Sequence, residues 1–275
     1  MSHFGALFVV ATPIGNMQDM SPRAIEVLSA VDIILAERPS HSKKLLSHFS
    51  ISAKPVKPYQ DQNEAAMSDY ILSRLIQGQN VALISDAGTP LISDPGYQLV
   101  RKALEANIAV HSVAGPCALS AAWSVGAIGG GQFLFLGFVS HRSAARQEEL
   151  KKANQSGYSF AFYESPHRLI NALDDLQSVV GAHRVVSVVK ELTKQYESIY
   201  HGVLADVLSQ IKETQVKGEW VILVSGSTQA KQDYPVALAH ELSELLGKSV
   251  ASKIISQHFG AKKNQVYSDL QQQIK

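Results

Sequence analysis

The sequence has little that would stabilise an extracellular protein or anchor a membrane protein. Its 275 residues include a single cysteine, Cys117, which excludes an internal disulfide bond and a zinc site made of several thiolates. No apolar run reaches the roughly 18 residues that a membrane-spanning helix needs. Residues 1–15 lack the basic segment and the cleavage site of a signal peptide and predict a first strand instead. We therefore expect a cytoplasmic protein with no membrane partner.

An excess of charge of one sign is also missing. The chain has 25 Lys and Arg residues against 24 Asp and Glu residues, which leaves a formal net charge of +1. A nucleic-acid binder with this balance has to concentrate its basic residues locally. The 45% hydrophobic and 18% charged residues are typical of a globular protein, and the length suffices for two ordinary domains.

Several nucleotide and metal motifs are absent. No segment has the P-loop spacing, and the glycines of 126–131 do not follow a strand as a dinucleotide-binding motif would. The histidines His41, His48, His167 and His201 do not have the spacing of metal ligands. We expect no metal site.

Strands and helices alternate along the first half, which predicts an α/β domain with a largely parallel sheet. Its predicted strands are Leu7–Ala11, Ile33–Ala36, Val81–Ile84 and Ile108–Val113. The second half predicts another α/β domain, with strands at Phe133–Leu136, Ser159–Tyr163, Arg184–Val189 and Trp220–Val224. We predict domains at 1–125 and 126–228, followed by a helical tail at 229–275.

The predicted tail consists of helices at Pro235–Leu246, Ser249–Phe259 and Asn264–Gln273, with Gly260 in a tight turn. The positions expected to be buried are Ile255, Phe259, Ala261 and Val266. They fit a helix-turn-helix pair, and they fit a plain helical hairpin packed on the body equally well.

The segment Ser85–Gly96, called the long loop below, follows a strand that reads as buried on both faces. It contains the acids Asp86 and Asp94 and several glycines and prolines. Ligands of open α/β sheets bind beyond the carboxyl ends of the strands. An ordinary strand-to-helix turn is the alternative, but the segment exceeds the length that such a turn needs. We interpret it as a ligand-binding loop.

Other strand ends carry similar signals. The segments Thr12–Asn16, Ala114–Ala118 and Tyr163–Arg168 contain turn residues, and parallel strands would bring them to one edge. Charged residues also end predicted strands, namely Glu37, Glu164, Lys190 and Glu191. A ligand could explain them, and so could salt bridges or helix caps.

Three segments, Val10–Asn16, Ser85–Gly96 and Phe162–Arg168, closely resemble the small-subunit ribosomal RNA methyltransferases of the tetrapyrrole methylase superfamily. Lys190–Lys194 and Gly218–Glu219 match as well, and the resemblance spans about residues 6 to 225. The chain departs from the pattern at Arg38–Ser40, at Gln60 and Gln62 and at Ala114, where the family usually has Asp-Thr-Arg, histidines and proline.

The resemblance implies two α/β domains of the class III methyltransferase type, with S-adenosylmethionine in the cleft between them. It also implies a homodimer and 2′-O-methylation of a cytidine ribose in the decoding region of small-subunit rRNA. The implied cofactor contacts are Pro13, Asp86, Ala87, Gly88, Ser93, Cys117, Ala118, Tyr163 and Glu164.

A base near the ribose hydroxyl would assist such a reaction. Our candidate catalytic residues are Glu164, His167, Lys190 and Glu191, followed by Glu37 and His41. Our candidate RNA contacts are Arg142, Arg146, Arg168, Lys262 and Lys263. Solvated helix faces explain these basic residues equally well.

Two other functions are compatible with the same motifs. One is methyl transfer to a tetrapyrrole carbon or a protein side chain, and the other is a non-catalytic RNA-binding assembly factor. The partner would be small-subunit rRNA or the ribosomal subunit in the reading that we favour.

Overall fold

The computed structural model describes residues 4–51, 54–129, 131–227 and 234–272. The strands are β1 (Leu7–Val10), β2 (Ile33–Ala36), β3 (Val56–Pro58), β4 (Val81–Ile84), β5 (Val110–Val113), β6 (Phe133–Phe138), β7 (Ser159–Glu164), β8 (Val185–Lys190), β9 (Ser198–Val203) and β10 (Trp220–Val224). The helices of the body are α1 (Pro22–Ala30), α2 (Pro39–His48), α3 (Glu64–Ile76), α4 (Tyr97–Glu105), α5 (Ala118–Val125), α6 (Ser143–Gln155), α7 (Leu169–Val180) and α8 (Leu204–Lys212). The tail helices are α9 (Val236–Leu246), α10 (Lys248–Phe259) and α11 (Lys263–Gln272).

The first sheet has the order β3-β2-β4-β1-β5, and every neighbouring pair is parallel. Every residue of β2 and β4 is buried, as expected for parallel strands that are covered on both faces. Leu28 of α1 and Leu46 of α2 pack on one face, and Leu75 of α3 and Leu99 of α4 pack on the other. The predicted α/β architecture of the first half is therefore confirmed.

The sequence did not indicate the edge strand β3, which is only three residues long and ends in Pro58. Proline cannot donate to a strand ladder, and it is confined to edges or strand ends. A segment this short carries no periodicity, so its pairing with β2 depends on the neighbouring strand.

The second sheet has the order β6-β7-β10-β8-β9 and is mixed. β6 and β7 are parallel, whereas β10 is antiparallel to both β7 and β8, and β8 is antiparallel to β9. The prediction of a second α/β domain is confirmed, but β9 was missed because a half-exposed edge strand has little apolar signal. Helices α6, α7 and α8 cover one face, where Leu150, Leu173 and Val207 join a common core.

The other face of this sheet packs against the first half of the chain. Leu223 and Ala161 of the sheet share a core with Ala122 of α5 and Ile14 after β1. Gly126 lies in this contact, because a Cβ added there would come within 2.2 Å of Leu223 Cδ1. Gly126 is thus a close-packing position. The predicted boundary at 125 stays a prediction.

The three tail helices share a small core of their own. Ile255, Ala261 and Val266 are buried there, as predicted, and Gly260 ends α10 in the left-handed conformation with φ of 71°. The prediction for Phe259 is wrong, since its side chain is 41% exposed. The predicted limits at residue 228 and Gln273 lie outside the described residues. Within the described chain, no helix is both long enough and apolar enough to cross a lipid bilayer.

Candidate functional site

A cavity of about 400 Å³ lies between the two sheets, where the carboxyl ends of strands from both halves meet. The predicted cofactor contacts that line it are Asp86, Ala87, Gly88, Ser93, Cys117, Ala118, Tyr163 and Glu164. Pro13 is not part of the lining, but the next residue, Ile14, is. The structure therefore brings residues from four separate loops to one partly open cavity, which fits a ligand of cofactor size.

The amino-terminal part of the long loop is tied to the segment after β1. Thr12 N donates to Gly88 O at 2.9 Å, and Gly88 N donates to Thr12 O at 3.0 Å. Gly88 has φ of +86°, and an added Cβ would lie 3.2 Å from Ile14 Cγ2. Thr89 Oγ1 also donates to Pro116 O at 2.9 Å. These bonds join three of the predicted ligand loops.

The carboxyl-terminal end of the loop is held by Glu64 at the start of α3. Its Oε1 accepts from Gly96 N at 3.0 Å and from Gln98 N at 3.1 Å, which caps the first turn of α4. Tyr59 Oη also donates to Glu64 Oε1 at 3.3 Å. Burial and the nearby Glu64 carboxylate raise the pKa of Tyr59 to about 12, so this phenol stays neutral.

Between these anchors the loop is strained and touches the second sheet. Leu91 and Ser93 have φ of 70° and 67°, which is uncommon for residues other than glycine. Such backbone conformations cluster at functional sites. A Cβ added at Gly137, in β6, would lie 3.2 Å from Ser93 Oγ, so the loop spans the cavity to the opposite wall.

The wall formed by the first half of the chain is acidic. Glu37, Asp86 and Asp94 all line the cavity. Burial raises the pKa of Asp94 to about 6 against the hydrogen bond from Ser85, and the negative charges of Glu37 and Asp86 add to the rise. Burial also raises the pKa of Glu37, helped by Asp86 and opposed by Arg38.

Arg38 also lines the cavity and forms an ion pair with Asp86 between Nε and Oδ2. The Arg38 backbone N–H donates to Asp86 Oδ1 at 3.3 Å. The sequence marked Arg38 only as a departure from the family pattern and Asp94 only as a member of the loop. The available signal was the presence of charged residues directly beyond buried strands.

The opposite wall is aromatic. The Tyr163 ring lies 4.9 Å from the Phe135 ring and 5.5 Å from the Phe138 ring, both in edge arrangements. Burial, followed by the nearby Cys117, raises the pKa of Tyr163 well above its usual range. Phe138 is exposed at the rim of the cavity. The cavity thus has one wall for flat apolar groups and one for cations or hydrogen-bond donors.

The two carboxylate oxygens of Glu164 differ: one is held by hydrogen bonds within the protein, and the other is a free acceptor. Its side chain is fully buried, and Oε1 accepts from Ser165 N and from Arg168 Nε, each at 2.7 Å. Arg168 also donates to Val139 O at 3.2 Å, so its guanidinium is largely committed. Oε2 of Glu164 has no hydrogen-bond partner among the described residues. A buried orphan of this kind at a cavity wall indicates a missing donor.

Of the other predicted catalytic residues, Glu37 lines the cavity, whereas His41, His167, Lys190 and Glu191 do not. His167 is exposed, and Lys190 Nζ lies 5.4 Å from the centre of the Trp220 ring. Glu191 accepts from Lys194 Nζ at 2.8 Å and from Glu219 N at 2.9 Å. Burial would raise the pKa of Glu191, but these bonds outweigh it and lower the pKa. Structural partners thus explain Lys190 and Glu191, and the catalytic roles stay predictions.

The predicted RNA contacts differ in their surroundings. Arg146 is only 3% exposed, donates to Asp175 Oδ2 at 2.8 Å and donates to Ser140 O at 3.0 Å. A phosphate group cannot reach it, so the prediction for Arg146 is wrong: this arginine ties α6 to α7. Arg142 is exposed at the start of α6, and Lys262 and Lys263 are exposed at the start of α11. No group of three or more potential metal ligands occurs among the described residues.

Comparisons with known proteins agree on the family. A sequence model of the family Tetrapyrrole (Corrin/Porphyrin) Methylases matches residues 6–208. The chain is 40% identical over 268 residues to Ribosomal RNA small subunit methyltransferase I of Escherichia coli O157:H7, covering 96% of this chain and 93% of the relative. It is 40% identical over 271 residues to the protein of the same name from Synechocystis sp., covering 96% of each.

Solved structures with the same fold are more distant in sequence. A diphthine synthase has a TM-score of 0.63 at 13% identity, covering 80% of this chain and 90% of that one. The methyltransferase CobJ has a TM-score of 0.61 at 18% identity, covering 81% and 95%. Uroporphyrin-III C-methyl transferase from Thermus thermophilus, complexed with S-adenyl homocysteine, has a TM-score of 0.57 at 14% identity, covering 80% and 97%. At these identities the likeness shows the fold alone.

Proposed function

Because this chain belongs to the tetrapyrrole methylase family, we propose that it transfers a methyl group from S-adenosylmethionine to small-subunit ribosomal RNA. The chain is an S-adenosylmethionine-dependent methyltransferase. The observation that carries the proposal is the cavity between the sheets, which gathers the motifs shared with the rRNA methyltransferases. More specifically, we propose that the acceptor is the 2′-hydroxyl of a cytidine in the decoding region of this RNA.

The chemistry of the cavity fits the cofactor. The sulfonium and ammonium charges of S-adenosylmethionine are cationic, and the wall that carries Glu37, Asp86 and Asp94 is anionic. The aromatic wall around Tyr163 suits the flat adenine, and the orphaned Oε2 of Glu164 is an acceptor for an N–H donor. When bound, the cofactor supplies an electrophilic methyl group on sulfur.

The residues of the chain position the bound ligand and exclude water from around it. The long loop is anchored through Thr12 and Glu64, so its backbone is set before a ligand arrives. Apolar side chains of both halves, including Ile14, Leu192 and Val221, line part of the cavity and would exclude water from beside a bound ligand. An aligned acceptor hydroxyl in such a space needs little further reorganisation to react.

A basic helix next to the cavity supports an anionic acceptor. Helix α2 contains no acidic residue, and the exposed cationic or ionisable side chains along it are His41, Lys43, Lys44 and His48. Neither Lys43 nor Lys44 forms an ion pair with a described residue. Because Arg38 precedes α2 and lines the cavity, phosphates bound along this helix would lead an RNA strand to the site.

Reversing two charges on α2 tests whether this helix binds the phosphates of the RNA. Lys43→Glu with Lys44→Glu should raise the KM for rRNA and lower the slope of log affinity against log salt by roughly 1 to 2. The same change at Lys262 and Lys263 tests the contribution of the tail separately. An unchanged salt slope in either double variant removes that surface from the proposal.

The decisive experiment maps the transferred group. The protein is incubated with methyl-labelled S-adenosylmethionine and small ribosomal subunits that lack the modification, and the labelled nucleotide and atom are identified. Label on the ribose of a decoding-region cytidine supports the proposal. Label on protein, or on an added tetrapyrrole instead of RNA, supports the rival acceptors. Calorimetry without heat of cofactor binding would indicate a non-catalytic scaffold.

We place the enzyme in the cytoplasm, where its ribosomal substrate is found, and we propose that it is a homodimer. The edge strand β9 and the turn before it expose Ile199 and Tyr196, which a second copy could cover. Sedimentation equilibrium that gives a monomer mass at micromolar concentration would reject the dimer.

A further inference from the structure

We propose that Asp94 is the carboxylate that removes the proton from the acceptor hydroxyl during methyl transfer. This assignment rests on the proposed function, since it presumes a hydroxyl acceptor in the cavity. It concerns a residue of the long loop that the family resemblance did not single out as a cofactor contact.

The geometry gives Asp94 a defined place in the cavity wall. Asp94 lines the cavity and follows Ser93, which has a left-handed backbone and whose Oγ lies close to Gly137 of β6. Two residues later, Gly96 is held by the Glu64 carboxylate. A carboxylate between two such anchors has a restricted range of positions, as a catalytic group needs.

The other carboxylates of the cavity are already committed. Asp86 is paired with Arg38, and Glu164 is paired with Arg168. Glu219 is largely exposed and pairs with Lys194. Only Glu37 and Asp94 line the cavity without a cation partner among the described residues. Burial raises the pKa of Glu37, but the neighbouring Arg38 cation opposes this rise, whereas no cation opposes the rise at Asp94.

The groups around Asp94 give its carboxyl a pKa that suits a general base. Burial is the main cause that raises its pKa to about 6, and the Ser85 hydroxyl opposes the rise. The charged groups that face it are Glu37 from the end of β2, Asp86 from its own loop and Asp61 from the segment after β3. On the opposite wall, Tyr163 is neutral and interacts with Asp94. A base with this pKa is ionised at pH 7 and still binds a proton readily.

The reaction balances with the proposed donor. The Asp94 carboxylate takes the hydroxyl proton, and the electron pair of that O–H bond stays on oxygen. An oxygen lone pair forms the new bond to the methyl carbon, while the electrons of the broken carbon–sulfur bond remain on sulfur. The sulfonium charge is thereby neutralised, and Asp94 releases its proton to solvent.

The first test compares Asp94→Asn with the wild-type enzyme. We expect kcat on rRNA to fall about 100-fold or more, the size of a general-base contribution. Cofactor affinity by calorimetry should fall far less, because Asp94 is one of several acids on that wall, and RNA affinity should not fall. Asp94→Glu should restore part of the rate. Asp69→Asn, on the exposed surface of α3, is the matched control and should leave kcat unchanged.

Two pH measurements separate a base from a merely structural residue. The wild-type kcat should decline below about pH 6, and Glu37→Gln should move this decline to lower pH by removing a neighbouring negative charge. Carbon-13 NMR of aspartate carboxyls, recorded without substrate, should show a group that titrates near pH 6 and that disappears in Asp94→Asn.

The outcomes distinguish this proposal from the function on which it rests. If wild-type enzyme labels rRNA and Asp94→Asn does so at full rate, the role of Asp94 is overturned and the function stands. If no Asp carboxyl titrates near pH 6, the role of Asp94 is overturned as well. If wild-type enzyme transfers no label to any hydroxyl of rRNA, the proposed function fails, and the assignment of Asp94 fails with it.

Discussion

Arg38 and Asp86 form an ion pair that joins the residue before α2 to the long loop. The Asp86 side chain is only 12% exposed, whereas the Arg38 side chain is 63% exposed and reaches the pair from the solvent side. Arg38 stands where the family usually has an aspartate. This chain therefore neutralises one acid of the cavity wall with a cation of its own, next to the helix that we assign to RNA.

Replacing Arg38 with alanine should change the pKa of a carboxylate in the cavity wall and should hardly change the stability of the fold. Arg38 lowers the pKa of Glu37, so its loss should raise that pKa further, and carbon-13 NMR of the glutamate carboxyls measures the shift. The exposed pair contributes at most about 1 kcal/mol, so cofactor affinity should weaken no more than about fivefold in calorimetry. Arg38→Lys keeps the charge and serves as control. A Glu37 carboxyl that titrates at the same pH in Arg38→Ala and in the wild type would contradict this account.

Replacing Glu64 with alanine should loosen the long loop. Its carboxylate caps the amino end of α4 and accepts two backbone N–H groups, so we expect a loss of about 1 to 2 kcal/mol in the free energy of unfolding. Cofactor affinity should fall as well, because Gly96 loses its anchor. Glu105→Ala removes an exposed ion pair at the other end of α4 and should cost less than about 0.5 kcal/mol. Equal effects of the two variants in urea denaturation would reject the capping role.

Alanine variants of Arg146 and Arg142 should differ in their effect on the stability of the fold. Arg146→Ala leaves the half-buried Asp175 carboxylate without its cation and should cost about 3 kcal/mol. Arg142 is exposed, so Arg142→Ala should leave the melting temperature unchanged. Burial would raise the pKa of Asp175, but bonds from Gln147, Ser143 and Arg146 outweigh it and lower the pKa.

Because the pKa of Asp175 is lowered on folding, the stability that its ion pair contributes should depend on pH. A carboxylate with a lowered pKa stabilises the folded state above its ordinary pKa of 3.8, and this contribution is lost as the pH falls below that value. The difference in stability between wild type and Arg146→Ala should therefore shrink in denaturation curves recorded at pH 3 to 4. A constant difference down to the lowest pH would contradict this expectation.

Asp94→Asn should stabilise the protein at neutral pH. The pKa of Asp94 rises from 3.8 to about 6 on folding, so the folded state binds more protons than the unfolded state between these values. Stability therefore falls as the pH rises through this range. Since the side chain is partly exposed, the neutral amide should gain on the order of 1 kcal/mol at pH 7.5 and little at pH 4. Differential scanning calorimetry at both pH values measures this, and a lower melting temperature at pH 7.5 would contradict it.

The elements that could be predicted are those with strong local signals. The apolar runs of β2 and β4 predicted both strands with their observed limits, because parallel strands buried on both faces have no polar alternation. The turn at Gly260 followed from the preference of glycine for the left-handed conformation. The short edge strand β3 and the half-exposed β9 have no such signal, and they exist because a neighbouring strand offers hydrogen bonds.

By itself, the sequence determined the α/β class, the long loop and its glycines, since backbone conformation and apolar periodicity are local properties. The family resemblance also followed from the sequence alone, because short motifs such as Ser85–Gly96 carry it. Only the tertiary structure decided which side chains face the cavity. It buried Arg146 against Asp175 and placed Asp94 beside Glu37 and Asp86. Ion pairing and proton affinity depend on groups that are distant along the chain and close in space, which no local pattern encodes.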